Sequence, residues 1–196
     1  MLSFTRQLRV AAFVCGCLLA LSGGATASAD SPGGSGSSSG GAVFIPPPPP
    51  PQKATIWHGQ AIAPAGAPAR IKQVIAWGNQ IIGKPYVYGG GHRAYSSRRA
   101  ATRLERGYDC SGSVSHALMG GRFLRTPLDS SSFMDWARSG PGTWITVYTN
   151  SGHAYLVVAG LRLDTGMRDD PSRTGPAWSK KLRRSASYVP RHPRGF

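Results

Sequence analysis

The sequence predicts an α+β domain, with helices first and an antiparallel sheet after them. Three observations carry this. Apolar residues recur at helical spacing from Ile71 to Ile82 and again after Cys110. A β-branched and aromatic run at residues 143–149 is followed by two more strand-like runs, split by short turn sequences. Finally, 40% of the 196 residues are apolar, enough for one core with appendages and too many for wholesale disorder. The order of helices and then a meander separates α+β from alternating α/β. Three cysteines exclude a disulfide-dense scaffold and a four-cysteine zinc site. No 18-residue uncharged apolar run exists beyond the N-terminus, so the chain is not polytopic.

Residues 1–29 read as a secretory signal. Arg6 and Arg9 precede an apolar stretch at residues 10–21, and Ala27-Ser28-Ala29 offers a small-x-small cleavage site. Cleavage removes Cys15 and Cys17 and leaves Cys110 as the lone cysteine of an exported chain. It leaves 21 of the 23 basic residues against 8 acidic ones, a net charge of +13. Residues 30–52 form a linker. Its first part is Gly/Ser-rich and flexible, and Pro46 to Pro51 makes a polyproline rod of roughly 19 Å. The folded domain is expected over residues 53–196.

Within it, Ile71, Val74, Ile75 and Ile82 share a helical face, and Gly83 and Pro85 supply the stop. A second helix is expected from Asp109 or Cys110 to Gly120-Gly121, with Val114, Ala117 and Leu118 inward. Ser130-Ser131-Ser132 can cap a short third helix carrying Phe133 and Trp136, ending near Gly140. Strands are expected at residues 143–149, 153–159 and 161–165, with turns at Asn150-Ser151-Gly152 and Gly160. From Gly166 onward the chain is basic and Pro-rich. Trp178 is expected to pack back on the domain, and the last dozen residues to be loose.

Cys110 is the candidate nucleophile. It sits where a loop enters a helix, and the partial positive charge of a helix N-terminus favours a thiolate. Asp109 can cap that helix. A thiol attacking an acyl carbon needs a base. His58 lies near the linker and His192 in the basic tail, both expected in solvent. His116 is about 120° around the helix from Cys110 and is a poor partner. His92 lies in a Gly-rich loop that can line a cleft. His153 begins a strand after a Gly turn, where a side chain is held rigidly, and is preferred. Asp164 on the next strand can return beside His153 and fix its tautomer, or can pair with Arg162 or Arg168.

Lys84-Pro85-Tyr86-Val87-Tyr88-Gly89-Gly90, then Tyr108-Asp109-Cys110-Ser111-Gly112, then Ser151-Gly152-His153 and an apolar strand, resemble the NlpC/P60 cell-wall peptidases. The resemblance runs from about Arg70 to Thr165. It implies a reduced papain-like α+β fold and cysteine endopeptidase cleavage within peptidoglycan stem peptides, often from D-glutamate to the diamino acid. It implies Cys110 as nucleophile and His153 as base. Tyr88 matches an aromatic that shapes the site, and Asp109 and Ser111 match positions near the substrate amine. That family usually places a His, Asn, Gln or Glu about twelve residues beyond the base. Thr165 occupies that place here, and Asp164 precedes it. A turn shorter by one residue brings Asp164 into register, and a carboxylate stabilises imidazolium better than a hydroxyl does. No cofactor or metal is called for.

Arg93, Arg98, Arg99, Arg103 and Arg106 crowd the approach to Cys110. Lys180, Lys181, Arg183, Arg184, Arg191 and Arg194 load the tail. An export signal directs this charge to the exterior, to anionic wall polymers, membrane headgroups or stem-peptide carboxylates rather than nucleic acid. The expected protein is a monomer, secreted or wall-retained. Other acyl transfers on the same fold (an amidase or lipid acyltransferase) and a non-catalytic basic wall-binding protein remain the alternatives.

Overall fold

The computed structural model describes residues 53–93, 103–166 and 174–196, all within one unit spanning residues 47–196. The expected signal, the linker, Arg98, Arg99 and Arg168 lie outside the described residues. No helix among the described residues is long and apolar enough to cross a membrane.

A hairpin opens the domain: β1, Thr55–Trp57, pairs antiparallel with β2, Gln60–Ile62. His58 and Gly59 turn it with φ of 47° and 78°, the left-handed geometry that a two-residue hairpin loop requires. Helix α1, Ala69–Gln80, follows Pro68 at its N-cap, whose carbonyl accepts the Ile71 and Lys72 N–H groups. It buries Ile71, Val74 and Ile75 as the periodicity predicts. Helix α2, Cys110–Gly120, begins and ends where the sequence places it. It is no one-sided helix, however, because Ser111 to Leu118 are all buried. Its small residues let α1, β5 and β6 pack on different sides of it, and its hydroxyls are satisfied inside. Ser115 Oγ donates to Leu128 O and accepts from Leu128 N–H.

The short third helix is one 3₁₀ turn, Ser132–Asp135. Asp129 caps it, accepting the Ser132 N–H at 2.7 Å, and the expected serine caps are not made. Trp136 lies just past it, edge-on to Phe133. Six strands then form one antiparallel sheet: β3 (Arg138–Ser139), β4 (Ile145–Asn150), β5 (His153–Val158), β6 (Leu161–Gly166), β7 (Thr174–Ser179) and β8 (Val189–His192), in the order β3-β8-β4-β5-β6-β7. The β4-β5-β6 meander matches the expected strands to within two residues. Val147, Leu156, Leu163 and Trp178 join the helices in one core.

The C-terminal region is where sequence reading fails. The last dozen residues are not loose, since β8 inserts between β3 and β4 and pairs with both. His192, expected in solvent, bonds Gly140 O through Nδ1 at 2.9 Å. Phe196 packs edge-on against Phe123, and the Arg70 guanidinium sits over both rings. Arg191, His192 and Pro190 disguise this strand, because its stability comes from ladder hydrogen bonds to distant partners rather than from its own apolar pattern. Trp178 does pack back: its indole N–H donates to Asn79 Oδ1, which also accepts from the Ala61 N–H.

Candidate active site

Cys110 is the first residue of α2. Asp109, extended at φ −88° and ψ −174°, caps the helix by accepting the Gly112 N–H on Oδ1 at 2.7 Å. Ser111 Oγ donates to the same oxygen, and His92 Nε2 lies 3.0 Å from it and 3.1 Å from Ser111 Oγ. Oδ2 accepts the Gly89 N–H. Asp109 and Ser111 are therefore turned inward, 7% and 4% exposed, and tie the helix start to the 89–92 loop. They are expected beside the substrate; their oxygens are already spent on this frame.

The frame depends on glycine. A Cβ on Gly112 would stand 2.0 Å from Gly90 O and 2.9 Å from Gly91 Cα, both backbone atoms that cannot swing away. Gly112→Ala is expected to lose on the order of 3 kcal/mol of stability through overpacking, read as the free energy of chemical unfolding. An unchanged free energy would mean that the loop yields without cost.

His153 is the first residue of β5. Asn150 Oδ1 accepts the N–H groups of Gly152 and His153, which fixes the turn before it. Side chains alternate along a strand. Val157 pairs with Arg162, so His153, Tyr155 and Val157 share a face with Arg162 and Asp164. Thr165 lies on the opposite face. The turn between β5 and β6 has only two residues, Ala159 and Gly160, at φ 47° and 79°. This short turn brings the carboxylate, rather than the hydroxyl, to the histidine. His153 Nε2 and Asp164 Oδ1 are 2.9 Å apart. The Asp164 side chain is 0% exposed, and Oδ1 also accepts the Gly166 N–H.

With Nε2 engaged by Asp164, Nδ1 is left for the thiol. Burial lowers the His153 pKa, but the hydrogen bonds and charges of Asp164 and Cys110 overcome it and raise it to about 9. Burial pushes the Cys110 thiol up. Hydrogen bonds from His153 and the Ala154 N–H, with the His153 charge, outweigh burial and Asp109 and hold the thiol below its ordinary value. The two shifts together favour a thiolate–imidazolium pair, whose titrations belong to the pair. Burial pushes Asp164 up, but His153, the Gly166 N–H and Arg183 bring its carboxyl below the usual range.

The remaining histidines separate cleanly. His58 is exposed against Trp57. His116 is buried between Trp77 and Tyr108 and bonds Gln80 Oε1, and burial lowers its pKa to about 4, so it is a neutral core residue. Tyr88 is 90% exposed. Tyr86, two residues earlier, is the aromatic that feels the charges of Cys110 and Asp109. Arg183 was legible only as tail charge, yet Nη1 donates to Asp164 Oδ2 at 3.0 Å. Among the described residues, no group of three or more His, Cys, Asp or Glu could hold a metal ion.

No family profile and no curated protein matches the chain. Solved structures do. The P60 domain of antigen MAP1204 from M. avium subspecies paratuberculosis is similar over 62% of this chain and 93% of its own, at 20% identity and a TM-score of 0.44. Rv1477, a hypothetical invasion protein of Mycobacterium tuberculosis, is similar at 24% identity and a TM-score of 0.43. A mutated form of the Resuscitation Promoting Factor Interacting protein RipA is similar at 22% identity and a TM-score of 0.42. This chain covers 61% and 62% of the lengths of the latter two.

Proposed function

We propose that this protein is an exported cysteine peptidase that hydrolyses amide bonds in peptidoglycan stem peptides, with the bond from D-glutamate to the diamino acid as its target. The observation that carries the reading is the run of Cys110, His153 and buried Asp164, joined thiol to ring to carboxylate. The motif resemblance of residues 84–90, 108–112 and 151–153 supplies the substrate class.

The chemistry follows from the geometry. The Cys110 thiolate at the helix N-terminus attacks the amide carbon, and the electron pair of the carbonyl moves to its oxygen. The Cys110 N–H, at the start of α2, is the proposed donor to the developing oxyanion. His153 Nδ1–H protonates the leaving amine as the C–N bond breaks. The neutral ring then takes a proton from water as the water attacks the thioester, which restores the thiol. Asp164 keeps the other ring proton on Nε2 throughout, so Nδ1 alternates between acid and base. The basic residues at 103–106 and 180–184 suit anionic wall surroundings.

The test is to incubate the protein with purified peptidoglycan and analyse the fragments by mass spectrometry. New amino termini on the diamino acid, absent after the thiol is alkylated, are expected. Intact stem peptides freed from the sugar would replace this reading with an amidase. No fragments at any pH would replace it with a wall-binding protein.

A further inference from the structure

Arg183 lies outside the three residues assigned above. It belongs to the segment between β7 and β8, and its guanidinium is boxed in. It stands 5.6 Å from the Tyr155 ring centre and 5.7 Å from that of Tyr188. Nη1 is 3.0 Å from Asp164 Oδ2 and 3.0 Å from His153 Nε2. Gly166 leaves room for this approach, since a Cβ there would stand 3.1 Å from Nη1.

A guanidinium only donates. His153 Nε2 therefore faces two neighbours with opposite demands. Asp164 Oδ1, at 2.9 Å, calls for a proton on Nε2, and Arg183 Nη1 calls for a lone pair there. When Nε2 is protonated, two N–H groups face each other, and once Nδ1 is protonated as well, both cations share the Asp164 carboxylate. Asp164 binds the two cations together, while their mutual repulsion opposes the imidazolium.

We propose that Arg183 is a positioning residue of this site, holding Asp164 against His153 while its charge limits how firmly the imidazole keeps its proton. The inference rests on the reading of Cys110 and His153 as nucleophile and base. An imidazolium that holds its proton too firmly is a poor acid toward a leaving amine. Asp164 and Cys110 both push His153 in that direction, and Arg183 opposes them.

Other titratable and charged groups also face the ring. α2 and its cap present the Cys110 thiol and Asp109. The preceding loop presents Tyr86 and His92, both within range of the thiol. β6 adds Arg162, 3.4 Å from Asp164 Oδ2. β4 adds Tyr148, stacked on Tyr155 of β5. The phenols are uncharged around neutral pH. Among the described residues, Arg183 is the cation at hydrogen-bonding distance from Nε2.

The test is an NMR titration of the His153 ring, assigned by its loss in His153→Ala, alongside the pH profile of Cys110 alkylation by iodoacetamide. Arg183→Met is expected to move the His153 midpoint up by about one pH unit, the order expected for removing one adjacent charge. Arg183→Gln keeps an N–H for Asp164 without the charge and is expected to do the same, which covers a methionine variant that fails to fold. Arg183→Lys keeps the charge and is expected to leave the midpoint within a few tenths of a unit. A neutral variant with an unmoved midpoint and only a lower melting temperature would overturn the proposal, leaving Arg183 a staple for its segment. An unaltered protein whose thiol alkylates like a free cysteine would instead remove the nucleophile–base reading itself.

Discussion

Replacing Cys110 with alanine is expected to lower the rate of stem-peptide cleavage by on the order of 10⁵-fold, as removal of a covalent nucleophile does in hydrolases. Nothing else in the site can take over the attack. Ser111, the adjacent hydroxyl, is buried and bonded to Asp109 and His92. The fold is expected to survive, because the thiol bonds the His153 ring and the Ala154 N–H, and β5, which carries both, is held by its pairing with β4 and β6. The loss should therefore appear in kcat with an unchanged melting temperature. Loss of the thiolate also removes one of the groups that raise His153, so its ring is expected to titrate below about 9. Residual turnover within tenfold of the parent protein would sink Cys110 as nucleophile.

The second large effect belongs to Asp164. Asp164→Asn is expected to cut kcat by about 10²–10⁴-fold, because an uncharged amide stabilises imidazolium poorly and, with its NH2 turned to the ring, favours the wrong tautomer. The sign of its pH signature follows from the shifts. His153 is raised from 6.5 to about 9. Its charged form thus stabilises the fold fully below about pH 6.5, and that contribution is lost as the pH rises through about 9. Removing the carboxylate should pull the basic limb of activity down toward neutral pH and narrow the active range. The variant should also be less stable, since Arg183 and Arg162 then face an amide in place of a buried carboxylate. Thr165→Val separates the two candidates for the third position. Its side chain lies on the other face of β6, so turnover is expected to stay within about threefold. The reverse ranking of these two variants would assign the role to Thr165.

Much of the site is legible in the chain because it is local. The Asp109 cap, the helix start at Cys110 and the Asn150–Gly152 turn that aims His153 are each set by neighbouring residues. The choice of Asp164 over Thr165 is nearly local too. A two-residue turn fixes which residues of β5 and β6 stand together, and alternation fixes the face. The third helix shows the limit of local reading. Three serines looked like caps, yet the cap is Asp129, whose carboxylate accepts the Ser132 N–H.

Other parts depend on partners far away in the chain. Asn79 and Trp178 bond across 99 positions, and β8 finds its place between β3 and β4 through backbone pairing that its own arginine, histidine and proline do not announce. Arg183 is the sharpest case: one of six basic residues named in the tail, it becomes part of the site only because its segment crosses the open end of β5 and β6.

The amino-acid order alone thus pointed to the two helices, the β4-β5-β6 meander and the proposed nucleophile and base, because capping, turn chemistry and side-chain periodicity act within a few residues. The charge state of the histidine, the inward commitment of Asp109 and the presence of a guanidinium at Nε2 were settled by folding. Those properties arise from burial and from charges brought within about 3 Å, and neither exists until distant segments of the chain pack together.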